Sequence, residues 1–200
     1  EMLRSLVGSE MCIRDRCCEA GIKVTALPGA VACVTALIIS GLPTRRFCFE
    51  AFLPTDKKEH QRVLAELQNE TRTIVLYEAP HHLLRTLTEL YEALGDRKAS
   101  ICRELTKKYE TAFRTTLSQA VAYYTENEPK GECVIVIEGK SVQEIEAEDQ
   151  ARWQQMSLEE HMEHYESQGN SRKEAMKLVA KDRGVSKRDV YQALLEAEEA

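Results

Sequence analysis

Apolar residues recur along this chain with two periods, and the two periods take turns. Residues 22–27 alternate apolar with polar, which predicts a strand running into a turn at Pro28-Gly29. Residues 30–40 are small and apolar throughout, as in a buried helix, and Gly41 supplies the stop. Residues 47–52 read as a second strand. Residues 57–69 return to helical spacing, with Val63, Leu64 and Leu67 on the inward face. Residues 73–77 are a short, mostly apolar run, expected as a buried strand. Pro80 stands at a first helical position, with Leu83, Leu84, Leu87 and Leu90 as the stripe and Gly95 as the stop. Strands are expected near 98–102 and 111–116, a helix near 117–126 and a last strand over 133–137. Strands that alternate with helices imply an α/β fold with a largely covered sheet.

The pattern then changes. Residues 141–156 read as an acidic linker. Across 157–200 three short helices are expected, each opened by a serine with an acid three residues on. Ser157 with Glu160 and Ser171 with Glu174 match the capping box, and Ser186 with Asp189 is a looser version. Gly169 and Gly184 close the first two. The turn Gly184-Val185-Ser186-Lys187 between capped helices resembles a helix-turn-helix. Residues 1–17 follow neither period and resemble a translated sequencing-adapter fragment, so they are set apart from the fold. The expected order is a leader over 1–17, an α/β subdomain over 18–140, the linker, and a small helical domain.

Charge sharpens the reading of the tail. The net charge is −6, yet residues 171–191 hold seven basic and three acidic side chains, while residues 141–170 hold one basic and eight acidic. Polyanion binding is local, so a basic segment in an acidic chain counts for more than the total. Lys187 and Arg188 sit at the first turn of the last helix, where both the side chains and the helix end favour phosphate; a solvated helix whose basic residues balance the acidic linker is the alternative. The seven cysteines include no CxxC pair. That argues against a disulfide framework or a metal site and for a reducing cytoplasm. No apolar run reaches the roughly eighteen residues of a membrane span.

Four segments carry candidate chemistry. The loop from Arg103 to Glu110 holds six ionisable side chains between two expected strands, where ordinary turns use Gly, Pro, Asn and Asp. A fork donor with carboxylates on a rigid sheet suits substrate contacts, and a solvated loop accounts for it equally well. Leu27-Pro28-Gly29-Ala30 joins strand to helix start, where backbone N–H groups can meet a ligand, though most Pro-Gly pairs are only turns. Tyr77-Glu78-Ala79-Pro80-His81-His82 lies at a strand's carboxyl end, the usual ligand side of an open sheet. Helix capping by Glu78 with exposed histidines is the plainer reading. Lys130-Gly131-Glu132-Cys133 opens the last strand. No GxGxxG or P-loop occurs, which disfavours the dinucleotide and P-loop folds.

In order, these segments resemble the S-adenosylmethionine-dependent ribosomal RNA small-subunit methyltransferases of the RsmI type, which modify a cytidine ribose 2′-oxygen. The carrying residues also include Gly41-Leu42-Pro43, Phe52-Leu53-Pro54 and, in the tail, Ser186 to Tyr191. The resemblance implies an α/β subdomain of the tetrapyrrole-methylase fold with a helical tail. It implies S-adenosylmethionine as cofactor, held by Pro28, Gly29, Ala30, Tyr77, Glu78, Ala79, Gly131 and Glu132. It implies Glu104 and Lys107 as catalytic residues and Arg103 and His81, beside Lys187 and Arg188, as RNA contacts. His82 stands where that family commonly has an Arg. The partners implied are 16S rRNA in the small subunit and a second copy as homodimer. Members of the family open with a further α/β domain, unmatched here, that lines the cofactor cleft. This chain alone is therefore expected to bind S-adenosylmethionine weakly. Two alternatives stay open: a tetrapyrrole methyltransferase and a non-catalytic helix-turn-helix nucleic-acid-binding protein.

Overall fold

The computed structural model describes residues 13–198. The chain divides after Val31. In the first unit a helix (α1) runs through residues 13–19, and residues 22–31 have no regular secondary structure. This corrects the strand expected over 22–27. A strand needs a neighbour for its backbone N–H and C=O groups, and an alternating pattern alone supplies none. Leu27 accordingly is 94% exposed. Of the leader, residues 1–12 lie outside the described residues and 13–17 fall within α1.

The second unit follows the predicted alternation closely. It runs α2 (Ala32–Ser40), β1 (Phe47–Ala51), α3 (Lys57–Leu67), β2 (Thr73–Glu78), α4 (Pro80–Leu94), β3 (Lys98–Arg103), β4 (Thr111–Thr116), α5 (Leu117–Glu126) and β5 (Cys133–Ile137). The five strands form one sheet in the order β1-β2-β5-β3-β4. β1 and β2 are parallel, whereas β5 runs antiparallel to both β2 and β3, and β3 antiparallel to β4. The fold is α/β with a mixed sheet.

Period two in the strands sorts the core into two layers. Ile74, Leu76, Ile101, Cys133, Ile135 and Ile137 face Leu83, Leu87 and Leu90 of α4 and Leu117, Ala120 and Tyr124 of α5. Val75, Cys102, Val134 and Val136 face Cys33, Ala36 and Leu37 of α2. β5 is buried along its whole length, so truncating one of its isoleucines to alanine costs about 2–5 kcal/mol. α4 starts at Pro80 and stops before Gly95, as predicted, with Leu83, Leu87, Leu90 and Leu94 buried on one stripe.

The expected acidic linker is itself a helix, α6 (Val142–Gln155), with no buried side chain. Ser141 and Glu144 close a reciprocal capping box at its start, through Glu144 N to Ser141 Oγ at 3.0 Å and Ser141 N to Glu144 Oε2 at 2.9 Å. α7 (Leu158–Ser167), α8 (Arg172–Asp182) and α9 (Lys187–Glu198) follow. They gather around Met162, Ala175, Val179, Ala180, Val190 and Leu194. All three predicted caps form, the looser one through Asp189 N to Ser186 Oγ at 3.2 Å.

A polar node ties α6 to these helices. The ring of Trp153 stacks on that of His161, with centroids 4.2 Å apart and planes 5° apart. His161 is fully buried. Its Nδ1 accepts from Arg183 Nε at 3.1 Å, and Nε2 faces Asp182 Oδ2 at 3.3 Å without hydrogen-bond geometry. Tyr165 donates its hydroxyl to the same carboxylate. Burial, helped by the Arg183 cation, holds the imidazole below its ordinary pKa against the pull of Asp182. An unfolded histidine titrates near about 6.5. The neutral ring therefore stabilises the fold fully above that value, and the contribution is lost as the pH falls through the lowered one. Denaturant midpoints followed by Trp153 fluorescence should drop on acidification below about pH 6.5. In His161→Phe the neutral-pH midpoint should be lower and the acid-dependent drop smaller. An unchanged drop would assign the acid sensitivity elsewhere.

Candidate active site

β5 enters the sheet where β2 and β3 end. The register sets Cys133 opposite Glu78 on one side and opposite Arg103 on the other. Three chain segments far apart in sequence therefore meet at one end of the sheet: Tyr77–Ala79, the loop after Arg103, and Lys130–Glu132. Arg103 joins two of them directly. Its Nη1 donates to Lys130 O at 3.0 Å, and its Nε donates to Thr111 Oγ1 at 3.1 Å across the mouth of the loop.

Glu104 makes the closest approach. Gly131 has φ +79°, and a Cβ built there would lie 2.3 Å from Glu104 Oε1 and 3.0 Å from Glu104 Cδ. The carboxylate occupies the space that any side chain at 131 would need. The same oxygen meets Lys107 Nζ at 3.2 Å. Glu104 itself is left-handed, at φ 49°, and so is Thr106, at φ 63°. Two such non-glycine residues in one short stretch, one of them β-branched, cost about 1–3 kcal/mol each. Contacts within the loop hold the conformation: Thr106 N donates to Glu110 Oε2 at 2.6 Å, and Lys107 N to Glu104 O at 3.0 Å.

The β2 segment faces its own fold. Glu78 is buried, and Oε1 accepts from Ala79 N at 2.8 Å while Oε2 accepts from Thr86 Oγ1 at 2.7 Å. The carboxylate anchors the start of α4 and is not offered to solvent. Tyr77 reaches the other way. Its hydroxyl accepts from Cys33 N at 3.0 Å, in the first turn of α2, and its ring meets Phe49 edge-on at 4.9 Å and Phe52 at 5.8 Å. Burial pushes its phenol pKa up. Cys133 lies at the centre of this end of the sheet, and burial pushes its thiol up to about 12, against the Arg103 cation. A thiol held protonated is no nucleophile.

The remaining expected site residues differ in setting. Glu132 is exposed beside Gly131, and His81 is exposed in the first turn of α4 with its ring 4.1 Å from that of His82. Pro28, Gly29 and Ala30 belong to the unit that ends at Val31, where they are exposed and irregular. Lys187 and Arg188 lie in the first turn of α9, away from the sheet in sequence and in element. Of Arg103, expected as an RNA contact, two donors serve the fold through Thr111 Oγ1 and Lys130 O. Gly131 as steric partner of Glu104 and Thr86 as partner of Glu78 had no signal in the sequence, because both contacts depend on the long-range register of β5 and on the path of α4.

Comparisons with known proteins identify the family. The family profile described as Tetrapyrrole (Corrin/Porphyrin) Methylases matches residues 5–121. The chain belongs to that family. Among its relatives is "Ribosomal RNA small subunit methyltransferase I" of Bacillus subtilis, 45% identical over 175 residues, with 88% of this chain and 60% of the relative covered. Proteins of the same name from Halalkalibacterium halodurans and Synechocystis are 47% and 44% identical over 173 and 183 residues. These alignments cover 86% and 91% of this chain and 59% and 64% of those relatives. The chain thus spans about three fifths of the length of the curated relatives it matches.

The Gly131–Glu104 contact yields a direct test. Gly131→Ala should lose about 1–2 kcal/mol in denaturant unfolding from the left-handed backbone alone. It should also expel the Glu104 carboxylate and speed amide exchange over 104–110. Gly169→Ala, at φ +88° with nothing within 4 Å of its Cβ, should show the first effect without the second. Equal loop exchange in the two variants would mean that Glu104 does not depend on the space at 131.

Proposed function

We propose that this chain carries the reactive end of an S-adenosylmethionine-dependent methyltransferase that acts on a cytidine ribose 2′-hydroxyl of 16S rRNA in the small subunit. The observation that carries the reading is the convergence of Glu104 and Lys107 with Tyr77–Ala79 and Gly131–Glu132 around Cys133. The name shared by relatives at 44–47% identity supports the RNA substrate. The donor set suits the cofactor. S-adenosylmethionine is cationic at sulfonium and ammonium and anionic at its carboxylate, and its adenine is flat with apolar faces. Glu132 offers an exposed carboxylate, and Tyr77 with Phe49 and Phe52 offers ring edges, while the Glu104 carboxylate takes the space over Gly131.

When bound, the cofactor supplies an already electrophilic methyl group, so the protein's work is positioning and proton removal. A ribose hydroxyl is a weak nucleophile until its proton leaves. In this reading Glu104 accepts that proton at Oε1. Lys107, paired with Glu104, steadies the negative charge that builds on the ribose oxygen. The Nη2 edge of Arg103 and His81 meet RNA phosphate, and Lys187 with Arg188 holds the backbone further away. The assembly is a cytoplasmic homodimer. α2 contains no charged residue yet leaves Val34 and Ile38 exposed, an apolar surface of the kind a second copy would cover.

Two assays test this, on the chain itself and on a protein of its relatives' length that contains it. Transfer of labelled methyl to small ribosomal subunits, followed by digestion to nucleosides, should yield 2′-O-methylcytidine. Label on a base, on a porphyrinoid or nowhere would overturn the reading. Glu104→Gln and Lys107→Ala should each slow turnover by about a hundredfold to ten-thousandfold, with cofactor affinity changed far less. Wild-type turnover in both variants would remove these residues from the mechanism.

A further inference from the structure

The strongest feature outside the sheet end is the outer face of α8. Lys173, Lys177 and Lys181 recur every four residues and are all exposed. Residues four apart lie one above the other on a helix, so the three ammonium groups form a row with a rise of about 6 Å per step. The opposite face, Ala175, Val179 and Ala180, is buried. The row runs toward the Gly184 turn, beyond which Lys187 and Arg188 open α9.

The fold draws little on these cations beyond Lys177 favouring the charged form of Glu174 and Arg188 that of Asp189. Among the described residues none of the five takes part in an ion pair. The acidic helix α6 packs against α8, yet its recorded pairs go to Lys140 and to Arg152 of α6 itself. Glu174, the acid on the lysine side of α8, is drawn back into the capping box, where it accepts from Ser171 N at 3.1 Å and Ser171 Oγ at 2.6 Å. Arg183, by contrast, is turned inward and donates to Met156 O, Ser157 O and His161 Nδ1. Arg183 thus helps to build the bundle, whereas Lys173, Lys177, Lys181, Lys187 and Arg188 stay outside its ion pairs. Like charges four apart repel and weaken an isolated helix. A polyanion laid along the row removes that repulsion.

We infer that the outer face of α8, continued by the first turn of α9, is an RNA phosphate track. Lys173, Lys177 and Lys181 follow the sugar–phosphate backbone of ribosomal RNA and hand it to Lys187 and Arg188. The choice of RNA among polyanions rests on the methyltransferase reading above, and the row itself rests on geometry and charge. Phosphate contacts position RNA without reading its sequence.

The test compares the full chain with its Lys173→Gln, Lys177→Gln, Lys181→Gln triple variant, which leaves every capping and core contact in place. Binding to deproteinised 16S rRNA is measured by fluorescence anisotropy over a range of salt, with calorimetry of S-adenosylmethionine beside it. The triple variant should bind RNA at least about tenfold more weakly in moderate salt. Its plot of log affinity against log salt should be shallower by about two to three units, one contact per lysine. Cofactor binding should match wild type, and reversal of the same lysines to Glu should weaken RNA binding further. Wild-type affinity and slope in the triple variant would overturn the track and leave the methyltransferase reading standing. If the unaltered chain neither binds 16S rRNA nor, at its relatives' length, methylates it, the rRNA reading fails and the track fails with it.

Discussion

The arrangement depends on one placement, the antiparallel insertion of β5 between β2 and β3. β5 is buried on both faces and hydrogen-bonded on both edges, so its register is not free to slip. A shift by one residue would turn Cys133, Ile135 and Ile137 into the layer that holds Val134 and Val136, and both layers would lose their fit. The same register sets Cys133 between Glu78 and Arg103. Core packing thus decides which polar residues share the end of the sheet. The two roles cannot be separated by small changes, because the strand that carries one carries the other.

Around that end, side chains that a sequence reader assigns to ligands are divided between fold and chemistry. Glu78 fastens α4 through Ala79 and Thr86. Tyr77 receives the Cys33 N–H at one end of α2, and Arg114 of β4 donates twice to Ile39 O at the other. Arg103 ties the last turn before β5 to the start of β4. These contacts make a stiff frame. Within it, the loop after Arg103 is held in a costly backbone conformation, with Glu104 over Gly131 and Lys107 beside it. A stiff frame is what lets such a costly backbone conformation persist.

Much of this was legible in the sequence, for identifiable reasons. α4 was bounded by Pro80 and Gly95 because each acts on its own backbone. β5 was found over 133–137 because a short apolar run between turns has few other fates. Residues 22–27 misled because alternation reports one face and says nothing of a pairing partner. Residues 141–156 misled because their charge was read as solvation, although Ser141 and Glu144 have the same capping spacing as the pairs recognised further on. In the site, the chemistry-bearing segments could be named but not oriented. That Glu78 turns to Thr86, that Arg103 reaches Lys130 and that Glu104 fills the space over Gly131 all follow from β5 lying between strands that precede it by tens of residues.

The central claim is that Tyr77–Ala79, the 103–110 loop and Gly131–Glu132 act as one ligand-handling end of the sheet. Amide exchange of the protein with and without saturating S-adenosylmethionine tests it most directly. The account predicts slowed exchange in all three segments together, strongest over 104–110, with little change in the bundle of α7, α8 and α9. Slowing confined to that bundle, or to one of the three segments without the others, would contradict it.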